Sequence, residues 1–253
     1  MKIIRDINYA GDNSQWHIGD FYIPEGNGPF PIALCIHGGG WSAMDRHSFA
    51  GVAEFMCSQG FAAFNIEYRL LGTAPWPACG DDCLAAANFL LDGGIKEYEL
   101  QTDKLFVIGA SAGGHLSLMT GMRLPREKVS GTVSIAGITC LELLKQSTGF
   151  RVDPLNFWGH EPSVDEEKSA SPIAIVTPKM APILCSHCPN DVVVGIEHGT
   201  TFIDHCKKIG ADAELFEYDR PVDGHCIWIP DSDPHKLFPE IEEAIVKLIK
   251  RVY

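Results

Sequence analysis

The stretch Lys104-Leu-Phe-Val-Ile-Gly109-Ala110-Ser111-Ala112-Gly113-Gly114-His115-Leu116 decides how the rest of the chain is interpreted. A short apolar run ends at a glycine, turns at one serine and continues as a helix start, which is the expected setting of a Gly-x-Ser-x-Gly motif. So tight a turn needs neighbours with almost no side chain, and Gly109 and Gly113 meet that need. The motif predicts that Ser111 is a nucleophile. It also predicts that the N–H of Ala112, at the helix N-terminus, faces the group that the serine hydroxyl attacks. A serine N-cap on a buried helix is the alternative interpretation.

Apolar runs typical of buried strands recur along the chain. They lie at 32–36, 61–68, 105–108, 129–135, 183–185 and 213–218, and helical patterns separate them, the last at 234–253. This alternation predicts an α/β fold with a mostly parallel central sheet and helices on both faces.

Two earlier strand patterns, at 3–9 and 17–23, follow each other too closely for a crossover helix. We therefore expect an antiparallel edge at the N-terminal side of the sheet. Residues 139–179 are less regular and rich in proline, and no linker or repeat interrupts the pattern. The sequence predicts one domain over residues 1–253, with an insertion at about 139–179.

A catalytic serine needs a base and a carboxylate that orients the base, because its hydroxyl is a poor nucleophile at neutral pH. In α/β-hydrolases the acid and then the histidine follow the serine, on loops after later strands. Asp191 follows the strand at 183–185 and His225 follows the strand at 213–218, so they are the predicted acid and base. An ordinary helix N-cap is the alternative role for Asp191. The competing residues are Asp219 and Asp223 for the acid, and His187, His198 and His235 (in the predicted last helix) for the base.

The loop His37-Gly38-Gly39-Gly40 follows the first core strand. Glycines let a backbone approach a substrate oxygen closely, and a His-Gly-Gly-Gly loop in this place is the lipase and esterase form of an oxyanion hole. We expect the backbone N–H groups of Gly39, Gly40 and Ala112 to form the hole. Which two of the three glycines donate is left open by the sequence.

Composition limits the classes of partner. The net charge of −13 argues against nucleic-acid or anionic-membrane binding, which needs patches of lysine and arginine. No apolar segment approaches transmembrane length, and the N-terminus lacks the apolar core of a signal peptide. We expect a cytoplasmic protein with a small-molecule substrate; the sequence leaves the oligomeric state open.

Nine cysteines, an odd number, are scattered mostly over apolar segments. Without a secretion signal they are expected to be reduced and mostly buried. Cys185-Ser-His-Cys188 has Cys-x-x-Cys spacing, but no second pair completes a zinc site, so structural thiols are the preferred interpretation. The sequence calls for no metal and no organic cofactor.

Taken together, these motifs resemble the hormone-sensitive-lipase-like branch of the α/β-hydrolase esterases, and within it the compact acetyl and feruloyl esterase type. The matching segments are His37-Gly-Gly-Gly-Trp41, Tyr68-Arg69-Leu70, Pro75-Trp-Pro77-Ala78, Asp82, Gly109-Ala-Ser-Ala-Gly-Gly-His-Leu116, Ser171-Pro172, Asn190-Asp191 and Gly224-His225. The resemblance implies Ser111 as nucleophile, His225 as base and Asp191 as orienter. It also implies that Tyr68, Arg69 and Asp82 brace the glycine loop.

The chain departs from this pattern in two places. Only 36 residues precede His37, so the large N-terminal helical cap of some members is expected to be absent or minimal. Asp191-Val-Val-Val replaces the usual Asp-Pro-Leu, as in compact carbohydrate esterases and prolyl-oligopeptidase-like hydrolases. These departures leave the acyl and alcohol preferences open.

The resulting prediction is a serine hydrolase of short-chain carboxylic esters that works through an acyl-enzyme, with acetyl or hydroxycinnamoyl groups on plant-polysaccharide fragments as candidate substrates. Amide hydrolysis of the kynurenine formamidase or small-peptidase kind is the alternative, and a binding protein that reuses the fold is a third. Trp41, Trp158 and Trp228 are candidate substrate-binding residues. Phe150, Leu155, Phe157 and Trp158 either line the pocket or pack the insertion onto the sheet.

Overall fold

An eight-stranded sheet forms the centre of the computed structural model, which describes residues 1–146, 153–220 and 223–253. The strands are β1 (Lys2–Asn8), β2 (Ile18–Ile23), β3 (Phe30–Ile36), β4 (Ala62–Ile66), β5 (Leu100–Ala110), β6 (Val129–Ile135), β7 (Ile183–His187) and β8 (Ala213–Glu217). The helices are α1 (Ala50–Ser58), α2 (Ala78–Leu91), α3 (Ala112–Arg123), α4 (Leu141–Gln146), α5 (Pro154–Trp158), α6 (Val164–Ser169), α7 (Pro172–Ile175), α8 (Glu197–Ile209) and α9 (Pro239–Val252). Short 3-10 helices span Arg46–Phe49 and Arg126–Lys128.

The strand order across the sheet is β1-β2-β4-β3-β5-β6-β7-β8. β1 pairs with β2, and β2 with β4, in antiparallel fashion, whereas all other neighbours are parallel. This arrangement confirms the predicted mostly parallel sheet with an antiparallel N-terminal edge. Because β3, β5, β7 and β8 are parallel, their carboxyl ends lie at the same edge of the sheet.

Alternate residues of the central strands face two separate apolar layers. On β3, Ile32, Leu34 and Ile36 pack with α2 and α3, whereas Ala33 and Cys35 pack with α1 and α9. A strand covered on both faces has no polar side, which is why these strands read as continuous apolar runs. α8 packs beside α3, through Phe202 and Leu118 among others.

Two element boundaries differ from the sequence prediction by several residues. β5 begins at Leu100, five residues early, because Phe30 and Pro31 pair with Leu100 and Gln101 before a bulge in the ladder. α9 begins at Pro239 rather than at 234, so His235 lies in the loop before the helix. The described part of the insertion forms the short helices α4 to α7.

None of the helices in the described part of the chain combines the length and the apolar content that crossing a membrane requires.

Candidate active site

Ser111 occupies the turn between β5 and α3 with a backbone that side chains rarely adopt. Its φ is 55° and its ψ is −121°, a conformation that costs about 1–3 kcal/mol for a residue other than glycine. A Cβ on Gly109 would lie 2.1 Å from the Gly113 carbonyl oxygen, and one on Gly113 would lie 2.2 Å from the Ile36 carbonyl oxygen. The two glycines therefore make the turn sterically possible. The Ser111 N–H donates to the Ile135 carbonyl at 2.8 Å, which ties the turn to the neighbouring strand.

His225 joins Ser111 to Asp191. Its Nε2 lies 3.1 Å from Ser111 Oγ, and its Nδ1 lies 2.7 Å from Asp191 Oδ2. The residues stand 114 and 34 positions apart in the chain, yet they form one continuous hydrogen-bonded series. In this arrangement Nδ1–H donates to the carboxylate and Nε2 accepts the serine proton, as general-base activation of a hydroxyl requires.

Asp191 is fixed by its own loop. Its Oδ1 accepts hydrogen bonds of 2.9 Å from the N–H groups of both Val193 and Val194, which leaves Oδ2 for the histidine. The residue is 6% exposed. Asn190 and Asp191 also contact the histidine loop closely, since a Cβ on Gly224 would lie 2.4 Å from Asp191 N.

His187, at the end of β7, supports the acid loop from beneath, a role that sequence reasoning missed. Its Nε2 donates to the Val194 carbonyl at 2.7 Å and lies 3.8 Å from Asp191 Oδ2. Burial lowers the pKa of His187, which keeps the ring neutral. Only its position four residues before Asp191, at a strand end, could have indicated this contact.

The glycine loop turns its carbonyl groups away from the serine. Gly38 O accepts from His37 Nδ1 at 2.8 Å and from the Tyr68 hydroxyl at 3.1 Å. Gly39 O accepts from the N–H groups of Ser42 and Ala43, each at 3.0 Å. Because C=O and N–H point in opposite directions across a trans peptide, the N–H groups of the next residues point away from these partners.

Among the hydrogen bonds between described residues, none is donated by the N–H of Gly39 or Gly40, so both amides are available as donors. Both glycines have a positive φ, 102° and 59°, and both line the cavity that contains Ser111. The N–H of Ala112 is one of the amides in the first turn of α3 that helix geometry leaves without an intrahelical acceptor. Gly39 and Gly40 thus lie at the same cavity as Ser111, Ala112 follows Ser111 directly in the chain, and the three-donor oxyanion hole stays a prediction.

A buried charge cluster lies behind the glycine loop. Arg46 forms two ion pairs, from Nη1 to Glu67 Oε1 at 2.9 Å and from Nε to Asp20 Oδ1 at 3.0 Å. Glu67 Oε2 lies 3.5 Å from His37 Nε2. Arg46 is 8% exposed, and the neighbouring carboxylates compensate the cost of burying its charge. Sequence reasoning missed Arg46 and Glu67, because pairing between such distant residues leaves no local pattern.

The segment expected to brace the loop also has a defined geometry. Burial raises the pKa of Tyr68, so its hydroxyl stays protonated and donates to the carbonyls of His37 (2.9 Å) and Gly38. Arg69 forms a forked pair with Asp82, with nitrogen–oxygen distances of 2.6 to 3.1 Å. The first contact touches the loop directly, whereas the second anchors the residues that follow Tyr68.

Ser111 lies in a cavity of about 520 Å³, a volume typical of small-molecule sites. The glycine loop, the serine turn and residues 223–228 after β8 form most of its wall. Trp228 is part of this wall and packs edge-on against Phe49, with ring centroids 5.8 Å apart. Asp223, an exposed residue, is the one carboxylate among the described residues of the wall.

The other two predicted tryptophans do not reach this cavity. Trp41 is fully buried and contacts the edges of His115 (5.2 Å) and Phe157 (5.0 Å). Trp158 is 5% exposed, packs on Phe157 at 4.5 Å, and lines a different cavity. Neither ring therefore lines the cavity of the serine, and a tryptophan in sequence does not reveal which side of the sheet its ring packs against.

The insertion does not form the wall expected of it within the part of the chain that the structure describes. No described residue of 139–179 lines the Ser111 cavity. Phe157 and Trp158 pack the insertion onto the body of the protein, which is the alternative that the sequence left open, and Leu155 is exposed. Phe150 lies outside the described residues.

The remaining candidates for acid and base lie elsewhere. His198 is buried beside Thr139, whose N–H donates to its Nδ1 at 3.2 Å, and burial lowers its pKa to about 3. His235 stacks on Trp228 from the outside, 5.8 Å away, and is exposed. Asp219 is an exposed residue at the end of β8.

Comparison with known proteins identifies a family and several relatives that this chain resembles in sequence. The family model named BD-FAE matches residues 20–205. The versiconal hemiacetal acetate esterase of Dothistroma septosporum is 31% identical over 155 residues, which are 58% of this chain and 44% of that protein. The chain spans less than half the length of the first curated relatives that it matches.

Two solved structures superpose over nearly the whole chain. A truncated carbohydrate esterase from gut microbiota has a TM-score of 0.82 at 21% identity, covering 99% of this chain and 97% of that one. The thermophilic esterase Est2 of the Planctomycetes species Thermogutta terrifontis, solved with propionate bound, has a TM-score of 0.76 at 21% identity, covering 99% and 94%. These likenesses show that the fold is that of the α/β-hydrolases. Since the BD-FAE match covers well over half of the residues, the chain belongs to the BD-FAE family.

Proposed function

We propose that this protein is a serine hydrolase of carboxylic esters. The observation that carries the proposal is the continuous series Ser111–His225–Asp191, joined at 3.1 and 2.7 Å, with Ser111, His225, Gly39 and Gly40 lining one cavity. A nucleophile, a base with its orienter and an oxyanion hole are together what acyl transfer requires.

The reaction proceeds in two halves. Ser111 Oγ attacks the ester carbonyl carbon while His225 Nε2 takes its proton, and the resulting oxyanion accepts hydrogen bonds from Gly39, Gly40 and Ala112. When the tetrahedral intermediate collapses, the carbon–oxygen bond to the alcohol breaks and His225 returns the proton to the leaving oxygen. Water then attacks the acyl-enzyme with its proton passing to the same nitrogen, and the acid leaves as Ser111 recovers its proton.

The substrate class is proposed to be short-chain acyl esters, including acylated oligosaccharides. The cavity wall is mostly apolar, with Met44, Phe49, Ile227 and Trp228, which suits a small acyl group better than a charged one. Support comes from relatives named as an acetate esterase and a carbohydrate esterase, and from an esterase of the same fold solved with propionate.

All nine cysteines are free thiols, which supports the reducing, cytoplasmic location expected from the sequence.

Replacement of the nucleophile tests the proposal. Ser111→Ala is expected to abolish the hydrolysis of p-nitrophenyl acetate, while circular dichroism shows an unchanged fold. Ser48→Ala is the matched control, because Ser48 lines the same cavity outside the hydrogen-bonded series, and it is expected to retain turnover. Turnover by Ser111→Ala at the rate of the control would disprove the mechanism. A panel of acetyl esters, feruloyl esters and N-formylkynurenine then separates ester from amide preference.

A further inference from the structure

A second cavity, of about 570 Å³, lies on another part of the surface and shares no lining residue with the Ser111 cavity. It is formed by the residues before α2, the end of α3 and the helices of the insertion. Met119 and Arg123 on its wall follow Ser111 by 8 and 12 residues along α3, which corresponds to roughly 12 and 18 Å of helix. The proposed hydrolysis does not use this cavity.

Two indole rings form the apolar side of the cavity. Trp76, half-buried, stacks on Phe157 with centroids 5.5 Å apart and planes 14° apart, and Phe157 in turn contacts Trp158 at 4.5 Å. Met119 and Met122 complete this surface from α3. The rings are held by their packing, so they present a preformed apolar face to a ligand.

The Trp158 indole N–H has no hydrogen-bond acceptor within the part of the chain that the structure describes, although the residue is 95% buried. Leaving a buried donor unpaired costs about 1–3 kcal/mol. The ring lines this cavity and also a smaller one beside Leu141 and Leu144, so a ligand hydroxyl gains this hydrogen bond only if it reaches the covered Nε1.

Charged groups at the rim are already paired with one another. Arg123 Nη2 donates to Asp81 at 2.9 Å, and His160 Nε2 lies 2.9 Å from Glu166 Oε1. Both pairs are solvent-exposed, so their remaining donors and acceptors can bind a ligand's hydroxyl groups. Because Arg123 and His160, the basic residues of the described lining, already face carboxylates, the cavity is better suited to a neutral ligand than to an anion.

We propose that this second cavity binds neutral sugar residues of the oligosaccharide whose ester is hydrolysed at Ser111. A sugar ring offers a C–H face to the half-buried indole of Trp76 and hydroxyl groups to Arg123 and Glu166. The inference rests on the proposed function and names the alcohol part of the substrate. A sugar chain held there stays at high local concentration near the nucleophile, since the two sites stand on the same helix.

Binding to protein with a blocked catalytic site tests the inference. Ser111 is first labelled with a fluorophosphonate, and unesterified xylohexaose is then titrated by calorimetry and by tryptophan fluorescence. Saturable binding is expected in the labelled protein. Absence of binding there would overturn the inference, whether or not unlabelled protein binds. Hydrolysis of p-nitrophenyl acetate by unlabelled protein tests the proposed function separately, so the two failures are distinguishable.

Substitutions locate the binding. Trp76→Ala and Arg123→Ala are each expected to weaken xylohexaose binding at least about tenfold, or ~1.4 kcal/mol. Trp16→Ala, which removes a half-buried tryptophan far along the chain and outside both cavities, is the matched control and is expected to bind as the parent protein does. Unchanged affinity in both cavity variants, or saturable binding of p-coumarate in place of xylohexaose, would overturn the inference.

Discussion

Replacing Asp191 by asparagine should reverse the tautomer of the catalytic histidine. The N–H groups of Val193 and Val194 both donate to Oδ1, so an asparagine must place its carbonyl oxygen there. Its NH₂ group then faces His225 Nδ1, which lies 2.7 Å from Oδ2 in the parent protein. Nδ1 must become the acceptor, and the ring proton moves to Nε2. A histidine protonated at the nitrogen that faces Ser111 cannot take the serine proton.

The expected loss is large because the defect lies in the chemical step. The same exchange in a serine protease triad lowers kcat about 10⁴-fold, or ~5.5 kcal/mol of barrier. The geometry around Asp191 imposes the same tautomer, so we expect a loss of that order for Asp191→Asn with p-nitrophenyl acetate. Stability should fall by only about 1–2 kcal/mol, because two hydrogen bonds to a carboxylate become hydrogen bonds to an amide.

The assay combines kcat with urea unfolding of the same preparations. Asp219→Asn and Asp223→Asn are the controls, because they remove the same charge from the two carboxylates nearest the histidine in sequence. Both are expected to stay within a few-fold of the parent kcat, roughly 1 kcal/mol of barrier. A folded Asp191→Asn enzyme that keeps more than about a tenth of the parent kcat would refute the orienting role.

Three further outcomes follow from the geometry. Gly39→Ala should lower kcat about 10²–10³-fold, because the new Cβ would lie 2.1 Å from the Ala43 carbonyl oxygen and the donor amide must move. Steady-state kinetics measures the loss, and an unchanged kcat would contradict the donor role of this loop. Tyr68→Phe should lower the unfolding free energy in urea by about 1–3 kcal/mol, since the buried His37 carbonyl loses its side-chain donor while Gly38 O keeps His37 Nδ1. A change below a few tenths of a kcal/mol would count against the contact. Burial lowers the pKa of His115 to about 4 in the folded protein, against about 6.5 in the unfolded chain, so the stability that is present above pH 6.5 is lost as the pH falls towards 4. His115→Gln should therefore reduce the loss of unfolding free energy between pH 7 and pH 5 by about 2 kcal/mol, as measured by urea unfolding at the two pH values.

The sequence predicted the site best where the backbone limits the residue type. The dihedral angles of Ser111 and the space around Gly109 and Gly113 exclude most side chains, so the requirement is visible as a motif. Asp191 and His225 were found by their position after strands, because the carboxyl ends of parallel strands meet at one edge. The strand order explains the glycine loop as well: β3 lies next to β5, so the loop emerges beside the serine.

Prediction failed where side chains cross between distant elements. Arg46 pairs with Glu67 and Asp20 across the N-terminal edge of the sheet, and three separated charged residues carry no local pattern. Trp41 and Trp158 are equally ambiguous, since an indole packs well in a core or in a cavity wall. Their location was decided by contacts with His115 and Phe157, which only the three-dimensional structure supplies.

These two classes of residue differ in what they contribute to the proposed catalysis. The serine turn, the glycine loop and the acid loop place donors and acceptors through the backbone, so they define the reaction and recur as motifs. Side chains such as Trp228 at the active-site cavity, and Trp76 and Arg123 at the second one, line the cavities where we expect the alcohol and acyl preferences to be set. Sequence motifs therefore predict the chemistry of this chain more closely than its substrate. The substrate has to be inferred from the cavity walls, which makes the two cavities the places where variants will separate specificity from catalysis.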